Sequence, residues 1–199
     1  MSFPLSVKKA TQALNFFARQ EGGSINRLKA LKLIFFADRY HLRKYGRAVV
    51  GARYYAMKNG PVASEVKHVA ELNEQWLNPE QRRYAKAFIR KTSPYLFESV
   101  AAPDEQVFSK TDLEALHFAR EKFGHLREFE LSELTHHYPE WKRHESLLAE
   151  GRKRAAMDYR DFFLDPPAKF DPCHPLTEKE RQVALELFLD KQAFDNHWV

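Results

Sequence analysis

Residues 32–66, KLIFFADRYHLRKYGRAVVGARYYAMKNGPVASEV, join an apolar helical stretch, a glycine-punctuated segment and a proline-led helix with no linker between them. No other part of the chain constrains the fold as much. On a helix over about 26–45, Leu28, Leu31, Ile34, Phe35, Asp38 and Leu42 lie near one side. Leu33, Phe36, Ala37 and Tyr40 widen that apolar band, and a helix apolar on so many sides packs centrally. Gly46 closes it. Hydrophobic period then changes from helical to twofold. Ala48-Val49-Val50, Gly51 and Arg53-Tyr54-Tyr55-Ala56-Met57 read as a short β-hairpin, or as two irregular strands around a glycine turn. Asn59-Gly60 breaks the second strand, and Pro61 opens a helix over about 62–76.

Around this centre the signals are mostly helical. Ser6 caps a helix carrying Val7, Ala10, Ala13, Leu14 and Phe17, closed by Gly22-Gly23. Asn78-Pro79 opens a basic helix over 80–90, and 95–100 reads as a strand. Ser109 and Asp112 form a capping-box-like start to a helix reaching Phe123-Gly124. A shorter helix covers 128–136, Pro139 starts a further turn, and Asp158 caps a short helix before Pro166-Pro167. Residues 165–175 hold four of the ten prolines. Thr177 and Glu180 cap a last helix reaching about Phe194. The expected class is mainly α, an α-rich α+β fold that its helical weight brings close to all-α, with a small antiparallel β element between helices. The expected division is a domain over 1–165, a proline-rich linker over 166–176, and a C-terminal helix and tail over 177–199.

At 199 residues the chain fits one domain with a substantial core. No run of about 18 apolar residues is present, and the N-terminal MSFPLSVKKATQ lacks the apolar region and cleavage site of a signal peptide. Cys173 stands alone. One thiol neither staples a fold nor builds a cysteine zinc site, which favours a reducing cytoplasm. The net charge of +5 is unevenly spread, since residues 1–60 carry 12 Lys or Arg against only Glu21 and Asp38. Such asymmetry points either to an acidic partner or to acidic neighbours supplied by later parts of the fold.

Several constellations invite a catalytic or metal reading. His136, His137 and His144 cluster, with Glu133 one turn before the first two. A metal site needs three or four converging ligands, and Pro139 interrupts the helix that would align them, which favours a polar helix end. Ser64 and His68 are one turn apart, but no Gly-x-Ser-x-Gly elbow surrounds the serine. Ser64 and Glu65 instead suit the first turn of a helix. No glycine-rich phosphate loop exists. No cofactor and no enzymatic activity are expected. Arg39, Arg43, Lys44, Arg47, Arg53 and Lys58, interleaved with Tyr40, Tyr45, Tyr54 and Tyr55, combine cations with rings. That pattern suits a nucleic-acid surface as well as core packing.

Leu28-Lys29-Ala30-Leu31-Lys32-Leu33-Ile34-Phe35-Phe36-Ala37-Asp38-Arg39-Tyr40-His41-Leu42 resembles the opening motif of the Panacea domain, the SocA-like antitoxin family. The likeness continues through Tyr45-Gly46-Arg47, Tyr54-Tyr55-Ala56-Met57-Lys58-Asn59-Gly60-Pro61-Val62 and Ser64-Glu65. It is looser at Phe108-Ser109-Lys110-Thr111-Asp112-Leu113, at Thr135-His136 and at Pro139-Glu140-Trp141. The likeness spans about residues 5–165. Ala48 and Ala63 stand where the family often has proline. The resemblance implies an α-rich, non-enzymatic bacterial or phage protein that neutralises a cognate protein toxin by direct binding. In the SocA branch it implies a proteolytic adaptor delivering its partner to the ClpXP protease. Nucleic-acid binding through the basic N-terminal face is the rival expectation. The residues expected to meet a partner are Arg39, Tyr40, Arg43, Arg47, Arg53, Tyr55 and Lys58, with Phe188 on the C-terminal helix.

Overall fold

The computed structural model of the chain describes residues 6–197. Residues 1–5, the start of the stretch read against a signal peptide, and 198–199, the end of the C-terminal tail, lie outside the described residues. Helix α1 (Val7–Gln20) is capped by the Ser6 side chain, which accepts from the Lys9 N–H. A three-residue strand β1 (Ser24–Asn26) leads into α2 (Arg27–Tyr45), whose first turn is capped by Asn26 Oδ1 accepting from the Leu28 N–H at 2.8 Å. Gly46 ends α2 in the left-handed conformation, φ 66°.

Every residue from Lys29 to Arg43 is buried. Helix α2 is therefore the axle of the molecule, packed against α1, α5 (Lys110–Phe123), α6 (Glu128–Thr135) and α9 (Glu178–His197). Its aromatic side chains set the packing. Phe36 stacks on Phe123 at 3.9 Å between centroids, and Tyr40 on Phe118 at 4.2 Å. Phe35 meets Tyr54, Tyr138 and Phe162 edge-on or tilted. Such ring pairs add to the area they bury.

Two small antiparallel sheets flank the axle, so the class is a helix-dominated α+β fold rather than all-α. One orders β1, β5 (Leu96–Ser99) and β4 (Ile89–Lys91), with Ile25 opposite Phe97. The other orders β3 (Gly60–Ala63), β2 (Tyr54–Met57) and β6 (Ala155–Ala156), with Tyr55 opposite Val62 and Ala156. Strands β1 and β4 are three residues long, too short for alternation to show them in a sequence.

The hairpin differs from the sequence expectation. The strand over 54–57 ends before Asn59-Gly60 as expected, but it pairs with 60–63 and not with 48–50. Lys58-Asn59 is the turn, and Gly60 and Pro61 open the partner strand instead of a helix. Proline is tolerated because β3 is an edge strand. The Pro61 carbonyl accepts from the buried Lys32 amine at 2.7 Å. Ala48-Val49-Val50 forms no strand, because the Val49 and Val50 N–H groups donate to Asp38 Oδ1. Helix α3 (Ser64–Ala70) is correspondingly shorter than 62–76, and Leu72 at φ 51° turns the chain out of it.

The remaining elements follow their caps. Asn78 and Gln81 close a capping box on α4 (Pro79–Phe88), as Ser109 and Asp112 do on α5. Short helices α7 (Pro139–Lys142) and α8 (Glu145–Ala149) precede β6, and Asp158 caps a 3-10 turn over Tyr159–Phe163. Residues 166–176 are strapped to the helical body. Pro166 and Cys173 are buried, and the Asp171 carbonyl accepts from the Tyr138 hydroxyl at 2.8 Å. Helix α9 lies against the end of α2, with Leu187 Cβ only 2.9 Å from where a Cβ on Gly46 would stand.

Candidate partner-binding surface

The basic stretch is largely neutralised inside the fold. Arg39 is wholly buried, donates to both Glu140 oxygens at 2.6 Å and to the Leu164 carbonyl, and sits over the Tyr138 ring. Arg43, also wholly buried, donates to the Phe163 and His174 carbonyls and to Asp165. Tyr40 turns its hydroxyl to Glu114, which also takes Lys44 and Tyr45 and is held down to about 2 by those three hydrogen bonds. Arg47 pairs with Asp112 at 2.9 Å and Arg53 with Glu65 at 2.5 Å. Burial alone would raise Asp112; hydrogen bonds from Lys9 and the Ser109 N–H, with the charges of Lys9 and Arg47, outweigh it and leave it below its ordinary value.

Of the eight residues expected to meet a partner, Arg39, Tyr40, Arg43 and Phe188 are therefore buried. Phe188 packs on Tyr159 and Phe163, with centroids 5.6 and 5.7 Å away. Arg47, Arg53, Tyr55 and Lys58 keep surface, although the Tyr55 ring is half-buried beneath the Arg154 guanidinium. The acids that answer the basic residues come mostly from the later half of the chain. Pairing across such distances in sequence leaves no local signal.

The catalytic and metal candidates are occupied structurally. His136 stacks on Trp141 at 3.9 Å and His137 on Phe170 at 4.0 Å. His68 stacks on Trp76 and lies 3.9 Å from Glu71. The Ser64 N–H donates to the Arg53 carbonyl at the hairpin's base. Among the described residues no group of three metal-ligating side chains converges. Burial lowers His41 to about 4; its Nδ1–H donates to the Arg47 carbonyl and its Nε2 accepts from Thr111. Burial likewise holds the Lys32 amine well below its usual range.

An open groove of about 360 Å³ lies where α2 begins, between the β2–β3 turn, the β4–β5 turn and the start of α6. Leu28, Leu31, Met57 and Val62 provide its aliphatic lining, and Tyr95 and Phe129 stand in it 69% and 66% exposed. Arg27, Lys58, Lys67 and Lys153 ring it with positive charge. Arg27 and Lys67 share Glu71, whereas Lys58 and Lys153 form no ion pair among the described residues. Only Lys58 belonged to the sequence expectation. The legible trace of the groove in the sequence is Phe129, an aromatic set between Glu128 and Glu130 on the charged side of its helix.

Against this geometry, a family model described as "Antitoxin SocA-like, Panacea domain" matches residues 31–142. The chain belongs to the SocA-like antitoxin family. The matched span runs from the second turn of the axle through the hairpin and α5 to α7, so the Panacea domain holds most of the central helix, two strands of each sheet and most of the groove's walls. No curated protein and no solved structure matches the chain. Among the described residues, no helix of this Panacea protein is long and apolar enough to cross a membrane.

Proposed function

We propose that this Panacea protein is an antitoxin that neutralises a cognate protein toxin by binding it directly, in the cytoplasm of a bacterium or phage host and without catalysis of its own. Membership of the SocA-like antitoxin family carries the reading. The energetics of the fold support direct binding by a preformed surface. An axle fixed by buried ion pairs and capped helices presents its exposed side chains with little ordering left to do, which lowers the entropic cost of association. Arg47, Arg53, Tyr55 and Lys58 keep surface exposure and remain the residues of the basic stretch proposed to meet the toxin.

Co-expression with the product of the adjacent reading frame tests the reading. The neighbour alone should arrest growth; with this chain present, growth should recover and the two proteins should co-purify. A harmless neighbour, or one that stays toxic and unbound, contradicts it. Hand-off to ClpXP is the second reading drawn from the family, and it predicts recovery only in cells holding that protease. Nucleic-acid binding through the basic face gains little support, since Arg39 and Arg43, its proposed phosphate contacts, are wholly buried.

A further inference from the structure

We infer that the groove at the start of α2 is the docking site for a short segment of a partner protein that combines bulky apolar side chains with carboxylates. This deepens the antitoxin reading and rests on it for the partner's identity. Large apolar side chains left in solvent beside one another mark interaction surfaces more often than chance exposure does. Here Tyr95 and Phe129 project 69% and 66% exposed from two different elements over one aliphatic floor. The floor accepts side chains. Desolvating it against a partner's aliphatic or aromatic groups is favourable by area alone.

Charge selects the sign of the flanks. Glu71 answers both Arg27 and Lys67, so the pair carries a residual positive charge, and Lys58 and Lys153 have no acidic partner among the described residues. Along α2 and up to β2 the cations Arg39, Arg43, Lys44, Arg47 and Arg53 are answered internally, by Glu140, Asp165, Glu114, Asp112 and Glu65. Lys58 and Lys153 differ from those paired cations in flanking the open apolar groove with no acid among the described residues to answer them, and carboxylates on a docked segment complete them. An RNA strand fits less well. Tyr95 and Phe129 offer bases two rings, but the floor beside them is the aliphatic Leu28, Leu31 and Val62, which gains more from apolar side chains than from bases.

A phage-displayed random-peptide library panned on the full-length protein tests the site without knowledge of the toxin. Enriched peptides should pair Trp, Phe or Leu with Asp or Glu. As synthetic peptides they should bind about tenfold or more weakly to Phe129→Ala and to Lys58→Glu with Lys153→Glu. They should bind normally to the distant surface variant Lys110→Glu. The side chains changed are exposed, so unchanged thermal unfolding checks that each variant is folded. Enrichment of basic or neutral peptides, equal binding by the groove variants, or no enrichment overturns the proposal. Retention of a mixed-sequence single-stranded RNA that the same variants abolish would overturn it in favour of nucleic acid. Acidic peptides bound in the groove beside a harmless adjacent gene product would leave the site standing and remove the antitoxin reading. Neutralisation and co-purification that survive the groove variants would do the reverse.

Discussion

Asp38 and His41 stand one turn apart on the buried axle and titrate in opposite directions. Asp38 accepts from the Val49 and Val50 N–H groups and the Tyr54 hydroxyl, yet burial outweighs them and raises its pKa to about 6. Burial lowers His41 to about 4. The folded state thus holds the Asp38 proton more tightly than the unfolded chain, so this carboxyl's contribution to stability falls as pH rises from about 4 to 6. The folded state binds the His41 proton less tightly, so that contribution falls as pH drops from about 6.5 to 4. Each effect is on the order of 3 kcal/mol, and within this window they oppose. Urea unfolding at stepped pH should show Asp38→Asn losing stability on acidification more steeply than the parent. His41→Gln should lose it less steeply, or gain. Parallel curves for all three would contradict the assignment. The Arg39–Glu140 pair makes a separate prediction. Glu140→Gln leaves a buried guanidinium without its counter-charge and should cost about 3–5 kcal/mol, whereas Arg39→Met with Glu140→Leu should recover most of that loss. Equal destabilisation by the single and double variants, read from unfolding midpoints, would sink this account of the pair.

At the scale of elements, Gly60 carries the hairpin's tightest constraint. It sits at φ 85°, and a Cβ there would collide with Thr135 Oγ1 and stand 2.7 Å from Lys32 Nζ. Gly60→Ala should therefore destabilise by about 1–3 kcal/mol from crowding, beyond the cost of a left-handed alanine. In a Thr135→Ala background the crowding part should shrink, and strictly additive losses in thermal unfolding would argue that the backbone alone decides. This same position marks the boundary of what the sequence disclosed. Helix starts at Ser6, Asn26, Ser109 and Thr177 and the stop at Gly46 were readable because a cap acts within a few residues of itself. Gly60-Pro61 reads locally as a strand break followed by a helix start. It forms a strand because the chain folds back to pair it with Ala56 and Met57, and Lys32, from a distant part of the chain, donates to the Pro61 carbonyl. Strands β1 and β4 were hidden for a related reason: each is held by pairing with β5, not by a pattern of its own.

The whole molecule resolves most of its charge asymmetry internally. The basic first third is met by Glu65, Asp112, Glu114, Glu140 and Asp165 from later elements. A sequence lists charges without their partners, so Arg39 and Arg43 read as surface when they brace the interior. The groove was hidden likewise, because its walls come from five separated segments. Phe188 belongs to the same lesson. It fastens α9 to the 3-10 turn, so Phe188→Ala should lower stability by about 3–5 kcal/mol, measured by chemical unfolding, instead of weakening partner affinity alone. Wild-type stability in that variant would contradict the docking of α9. The central claim, neutralisation by direct binding, is tested most directly by titrating the purified protein into the purified toxin with no protease present. The account predicts that toxin activity falls to zero at a fixed molar ratio. Full activity that persists at molar excess, and disappears only when ClpXP and ATP are added, would contradict it.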